Sequence, residues 1–313
     1  MRQAWLLAAS VGALAACGGD DDGPTGGFEP ASGAPSLLAV IDVWAFSATD
    51  VWFLDGGSVV HRFDGSSWST LETPSTAGLG CIFALSESDV WLCAGNQVLH
   101  YDGAGFTASD VTAATGLDGL TSLWASSPTD LWVVGDDAIV ARGDGATWSG
   151  TIAGSPFMSS VWGSGPDDVY ALGTFDLIHW DGAAWTTVEL DGGGGGDGQV
   201  WGTGPADVWV MTDSSDLGHY DGSSWQLVET EDFVGDLASV WGTAPDDLWA
   251  AGSAGAIAHF DGESWDEVAH QAIGAPYLRQ FVAVHGTAAG GVWVVGQELG
   301  ESGSTGLIWH RAP

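Results

Sequence analysis

The chain contains no lysine. Its five basic residues are all arginines, set against 41 aspartates and glutamates, and the formal net charge is −36 over 313 residues. Affinity for nucleic acid comes from Lys and Arg displacing counterions from phosphates, so nucleic acid is excluded as a partner. Anionic lipid headgroups are disfavoured for the same reason. Such a field suits solubility, divalent cations or basic partners. Long apolar runs are missing too: residues 5–16 are too few to span a bilayer. No Cys/His cluster has zinc spacing, and no serine sits in a nucleophile elbow. The glycine run 192–196 is followed by no Gly-Lys-Ser/Thr and lacks the ligand spacing of a calcium loop, which leaves it a flexible inter-blade loop. Beyond residue 16, no stretch shows a 3.6-residue apolar period.

What the chain does have is a Trp-centred unit of about 40 residues that returns seven times. Its first aromatic position holds Trp44, Phe83, Trp124, Trp162, Trp201, Trp241 and His285. Eight residues later come Trp52, Trp91, Trp132, Tyr170, Trp209, Trp249 and Trp293. A third series, Trp68, Phe106, Trp148, Trp185, Trp225 and Trp265, follows an Asp-Gly step. Most of the 19 tryptophans fall on these three ladders, which makes them fold-defining first.

Each unit reads as four short strands rich in Val, Trp and Tyr, punctuated by Gly, Pro and Asp turns. The expected fold is all-β: a seven-bladed β-propeller with four antiparallel strands per blade. A solenoid is the alternative, but it needs polar caps at both ends that the sequence lacks. The seventh unit stops after its third strand, at Ile308-Trp309-His310. Phe28 precedes Trp44 by 16 residues, the same gap as Trp185 to Trp201. An N-terminal strand near Phe28 is therefore expected to complete the last blade and close the ring, hiding its edges.

The expected organisation is a signal peptide over 1–16, a lipidated Cys17 with a flexible acidic and glycine-rich tether over 17–27, and the propeller over 28–313. Leu14-Ala15-Ala16-Cys17 resembles the bacterial lipobox. That resemblance implies a lipid on Cys17, and Gly18 after it favours the outer membrane, periplasmic or surface-exposed. The other two cysteines, Cys81 and Cys93, flank Phe83 and Trp91 symmetrically. If those aromatics are cross-strand neighbours, a disulfide is geometrically reasonable; two buried free thiols are the other reading.

The third strand of each unit carries a cation or His: Arg62, His100, Arg142, His179, His219, His259 and His310. In six units an Asp follows two residues later: Asp64, Asp102, Asp144, Asp181, Asp221 and Asp261. Strand period places each pair on one face. A metal or catalytic ring is one reading. Recurrence in nearly every blade favours the other, one ion pair per blade pinning the Asp-Gly turn. A second series, Asp50, Asp89, Asp130, Asp168, Asp207 and Asp247, begins the second strands and is expected to hold turns; its alternative is a cation- or ligand-binding rim.

The unit resembles the Trp-rich bacterial propeller repeats, near the kelch and Asp-box types, over residues 28–311. Its Asp-Gly-x-x-Trp is one residue shorter than the Asp-box motif of sialidases, and the kelch double glycine is not repeated. Two of the four arginines beyond the leader sit at the strand-three position, against the arginine triad that sialidases need. The resemblance implies a propeller; function rests on a site.

The expected function is a non-enzymatic envelope lipoprotein, a monomer whose propeller presents loops to an envelope protein. A lectin-like glycan binder is the alternative, and a glycosidase or lyase comes third. Candidate ligand-binding residues are Trp180 and Trp309, which lie off the ladders, and His270, Tyr277, Arg279 and His285, near or in the longest inter-blade gap. No cofactor is expected beyond a calcium ion, and no metal ligands are assigned.

Overall fold

The computed structural model describes residues 27–190, 195–196, 198–211, 217–228, 230, 235–268, 278–301 and 303–313. Among them the strands form seven four-stranded antiparallel sheets arranged as the blades of a propeller. Blade four shows the pattern: Met158–Gly165 lines the channel, and Asp168–Gly173, Leu177–Trp180 and Trp185–Val188 follow outward. The one described helix, Thr112–Thr115, lies between blades two and three.

Ring closure is as the spacing predicts. In blade seven the order is Glu29–Pro30, Gly303–Arg311, Val292–Gly300, Arg279–Gly286, so the chain's two ends share one sheet. Glu29 pairs with His310 and Pro30 with Trp309, and the Ala31 amide donates to the Ile308 carbonyl at 2.8 Å. Phe28 is fully buried and meets Trp249 of blade six edge-on at 5.6 Å. The edge that blade seven would otherwise expose is covered.

The three ladders account for how neighbouring blades grip each other. The third-series ring of one blade packs against the second-series ring of the blade before it. Trp185 meets Trp132 at 5.7 Å, Trp225 meets Tyr170 at 5.9 Å and Trp265 meets Trp209 at 5.5 Å, all T-shaped. Such pairs add to the area each aromatic buries. The first-series rings lie nearer the channel, over the next blade. A Cβ on Gly163 would come within 2.9 Å of Trp124, and one on Gly202 within 2.8 Å of Trp162. Glycine one residue after the ladder position is thus what lets the preceding tryptophan lie flat.

The two faces of the disc differ. One carries the turns between first and second strands and the Asp-Gly turns, nearly uniform from blade to blade. The other carries the connectors between blades and the turns between second and third strands, which vary in length. In blade seven the hairpin of Val292–Gly300 and Gly303–Arg311 runs past Gly296, where the other blades turn, and projects from this connector face. Cys81 and Cys93 face each other across the first two strands of blade two, Cα–Cα 4.9 Å, joined as a disulfide.

Candidate functional site

The repeated charges assemble into one network in each of the first six blades, with a partner the spacing did not select; blade seven has Gly291 in place of the Asp, and its His310 stacks on Trp293 at 4.1 Å. His100 Nε2 is hydrogen-bonded to Asp89 Oδ1 at 2.8 Å, His179 to Asp168 at 2.6 Å, His219 to Asp207 at 2.8 Å and His259 to Asp247 at 2.9 Å. Arg62 reaches Asp50 through Nε at 2.6 Å and Nη2 at 2.8 Å, and Arg142 Nε reaches Asp130 at 2.5 Å. The expected pairing with Asp64, Asp102, Asp144, Asp181, Asp221 and Asp261 is therefore corrected. The third strands end one residue before these aspartates, so period-two geometry no longer applies to them.

Each of those six instead folds back into its own turn. Asp181 Oδ1 accepts the amides of Ala183 and Ala184, both at 2.9 Å, and Gly182 supplies the positive φ of 89° that closes the turn. These amides hold the Asp181 carboxyl below its ordinary range.

The second Asp series holds the turn before it in four blades, as expected, but through side chains: a hydroxyl four residues earlier donates to the carboxylate across the turn. The Thr203 hydroxyl donates to Asp207 at 2.6 Å and the Trp209 indole at 3.0 Å. Thr243 and Ser126 donate to Asp247 and Asp130, each at 2.5 Å, and Ser164 donates to Asp168. Burial pushes the Asp207 carboxyl up, but His219 and Thr203 outweigh it and hold it below its usual value. The strand-three ring or guanidinium then stacks on the second-series aromatic: Trp91 on His100 at 3.8 Å, Trp209 on His219 at 3.9 Å, Arg142 over Trp132 at 4.5 Å. Hydroxyl, carboxylate, cation or imidazole, and aromatic form a closed set, with the imidazole bound at Nε2 and covered on one face.

The axial cavity, about 520 Å³, is lined by the innermost strands of all seven blades. Here a series overlooked in the sequence emerges, the residue two before each first-series aromatic. Asp42 Oδ2 accepts the Ile82 amide at 2.9 Å, Ser122 accepts from Val161 and Ser160 from Val200, both at 3.1 Å, Gln199 accepts from Val240 at 2.8 Å, and Ser239 from Val284 at 3.1 Å. Each bond crosses to the next blade and satisfies an edge amide that faces the channel. The available signal was a polar residue recurring at one register of an apolar strand.

Blade two has the disulfide-bonded Cys81 at that position and blade seven has Ala283, and the Val43 amide goes to Asp42's own Oδ1 at 2.8 Å. One carboxylate thus serves two amides at the seam of the ring. Burial raises its pKa to about 7, against the pull of both amides. His285, next along the seam, accepts the Ala45 amide through Nδ1 at 3.1 Å and lies between Trp44 and Trp241. Burial drives its pKa down to about 3, so the ring is neutral.

The structure does not gather the candidate ligand residues into one pocket. Trp180 is packed against Trp132 and Trp185 between blades three and four. Trp309 is buried between Phe281 and the Arg279 guanidinium, 5.1 Å above its ring. Arg279 is 2% exposed and stands 3.7 Å from Glu298. His285 alone lines the axial cavity. His270, Tyr277 and Cys17 lie outside the described residues. No group of three or more His, Cys, Asp or Glu among the described residues is placed to hold a metal ion, and none of the described helices is long and apolar enough to cross a membrane.

No family model matches the chain, and no curated protein does. Solved propellers are similar in shape. A structure of YCF48 bound to D1 peptide superposes with a TM-score of 0.66 at 14% identity, over 91% of this chain and 97% of that one. YCF48 from Cyanidioschyzon merolae gives 0.68 at 14%, over 92% and 99%. The extracellular domain of BT3049 from B. thetaiotaomicron gives 0.63 at 13%, and there the match covers 87% of this chain but only 40% of the larger one. At these identities the likeness is one of fold.

Proposed function

We propose that the protein is a non-enzymatic lipoprotein of the cell envelope, anchored through Cys17, whose propeller is a scaffold for protein–protein interaction. One observation carries the reading. The His/Arg and Asp residues that could have formed a reactive centre are spent, blade after blade, in the same closed network that ties second strand to third. Reactive groups act at one place; a set repeated around a ring serves the ring. A propeller of this shape that binds a peptide, YCF48 with D1 peptide, supports the same class of role. The lectin-like alternative gains nothing from Trp180 and Trp309, whose rings are packed between strands and blades.

The test is site-specific photo-crosslinking in the intact envelope, with the probe placed in turn on each blade of the connector face, beside a Cys17→Ser variant. The expected result is a discrete protein adduct from adjacent blades and loss of membrane retention in the variant. Adducts to glycan alone, or none from any blade, would overturn the scaffold reading.

A further inference from the structure

Blade seven keeps the donors of the repeated network and lacks its acceptor. Blade five shows how the complete set divides one carboxylate. Thr203 Oγ1 donates to Asp207 Oδ2 at 2.6 Å, while His219 Nε2 and the Trp209 indole take Oδ1 at 2.8 and 3.0 Å. Thr243 and His259 take separate oxygens of Asp247 in the same way, and Ser164 and His179 those of Asp168.

Blade seven has the same register, with Thr287 four residues before Gly291, Trp293 two after it and His310 opposite Trp293. Trp293 and His310 stack at 4.1 Å, as Trp209 and His219 do at 3.9 Å. Yet Thr287 Oγ1, Trp293 Nε1 and His310 Nε2 are buried atoms with no hydrogen-bond partner among the described residues. Thr287 is 7% exposed and Trp293 2%. An orphaned indole alone would say little, since that of Trp91 is unpartnered too. The hydroxyl and the imidazole set blade seven apart: Ser126, Ser164, Thr203 and Thr243 each have their carboxylate, as do His100, His179, His219 and His259. Buried donors without an acceptor cost stability, and three at one register point to an acceptor from elsewhere.

Gly291 marks where that acceptor belongs. A Cβ built on it would stand 3.7 Å from His310 Nε2, with Cγ and Cδ of the exposed Pro313 ring at 3.6 and 3.7 Å, all ordinary contacts. Gly291 is not among the glycines with positive φ, so the backbone there does not require glycine. Arg311 Nη1 donates to the Gly290 carbonyl at 3.4 Å and brings a positive charge to the same turn, against the negative field of the chain. The donor set itself selects the ligand. Its counterparts hold the Asp168, Asp207 and Asp247 carboxyls below their usual range, so such donors favour an ionised carboxylate. A halide has one centre and cannot serve hydroxyl and imidazole on separate atoms, and a tetrahedral oxyanion brings more oxygens than there are donors.

We propose that blade seven binds a small monocarboxylate of acetate size beside Gly291, one oxygen accepting from Thr287 and the other from His310 and Trp293. The site lies at the turn between the first and second strands, on the face opposite the connectors, and is independent of the scaffold reading. The probe is sodium acetate, titrated against the purified protein and read by the transverse relaxation of its methyl protons and by the melting temperature. Sodium chloride at equal ionic strength is the control. Gly291→Asp supplies the carboxylate from within the chain, and Thr287→Val removes one donor.

The expected result is saturable acetate binding that raises the melting temperature. Thr287→Val should weaken it about tenfold, as for the loss of one hydrogen bond to a charged group. Gly291→Asp should abolish it and melt higher than wild type without acetate. No saturable binding would overturn the proposal, as would undiminished binding in either variant; should Gly291→Asp not fold, Thr287→Val carries the test. Equal stabilisation by chloride would mean a general anion site and overturn the carboxylate assignment. Acetate binding that appears only in Asp20→Asn/Asp21→Asn/Asp22→Asn would make the chain's own carboxylates the occupant and overturn it too. None of these outcomes alters the envelope crosslinks that test the scaffold reading.

Discussion

His219 and Asp207 hold each other at 2.8 Å while the imidazole lies nearly parallel to Trp209, 3.9 Å away. The same carboxylate takes the Thr203 hydroxyl and the Trp209 indole. Three donors depend on one acceptor. Asp207→Ala leaves them without it, and the expected loss is about 2–4 kcal/mol. Asp64→Ala, in an exposed turn where water replaces the carboxylate, should shift stability far less. Urea unfolding of the two variants makes the comparison, and an Asp64 effect as large as that of Asp207 would contradict the network.

The seam carboxylate predicts a pH dependence. The pKa of Asp42 is about 7 in the fold against 3.8 for the ordinary group, so between those values the native state holds the extra proton. Its contribution to stability is fully present below about pH 4 and is lost as the pH rises through 7. The span corresponds to roughly 4 kcal/mol. Asp42→Asn removes the titration while giving up one of the two acceptors. The variant should be less stable than wild type at pH 5 and recover relative to it by pH 8. The ring carboxylates Asp168, Asp207 and Asp247, held below their usual range, stay ionised throughout that window. Parallel curves for the two proteins would show that Asp42 does not titrate there.

Two glycines separate sterics from backbone freedom. A Cβ on Gly202 would sit 2.3 Å from the Asp207 carbonyl and 2.8 Å from Trp162, whereas one on Gly204 meets nothing within 4 Å. Neither is among the glycines with positive φ. Gly202→Ala should cost about 1–3 kcal/mol, and Gly204→Ala should be neutral or slightly stabilising. Thermal melts of both variants decide it; equal effects would mean that Trp162 gives way at no cost.

Phe28 tests the closure. It is fully buried against Trp249, ahead of a strand of only two residues. Phe28→Ala is expected to destabilise by about 3–5 kcal/mol, as for other large aromatic deletions. Limited proteolysis should then cut first near residues 28–31. An unchanged melting temperature would show that the ring holds without its N-terminal strand.

Much of this architecture was readable because a propeller repeats. The eight-residue step from Trp44 to Trp52, found again in every unit, fixes a hairpin and its register, and the gap from Phe28 to Trp44 locates the closing strand. The partner of each strand-three His or Arg was not readable. Two aspartates per unit lie within reach, and the nearer in sequence is the wrong one, because the strand ends between His219 and Asp221 and the chain turns away. The crossing bonds of Asp42, Ser122 and Ser239 were overlooked for a different reason: each joins residues about 40 positions apart.

The sequence by itself determined the number of blades, their strand order and the place where the ring closes, since these follow from local periods repeated until they must meet. Tertiary structure alone decided which carboxylate the strand-three imidazoles of blades two, four, five and six face, and that Trp180 and Trp309 are packed rather than presented. Those outcomes depend on what the neighbouring strand or blade places opposite a residue, and no spacing along a single chain encodes that.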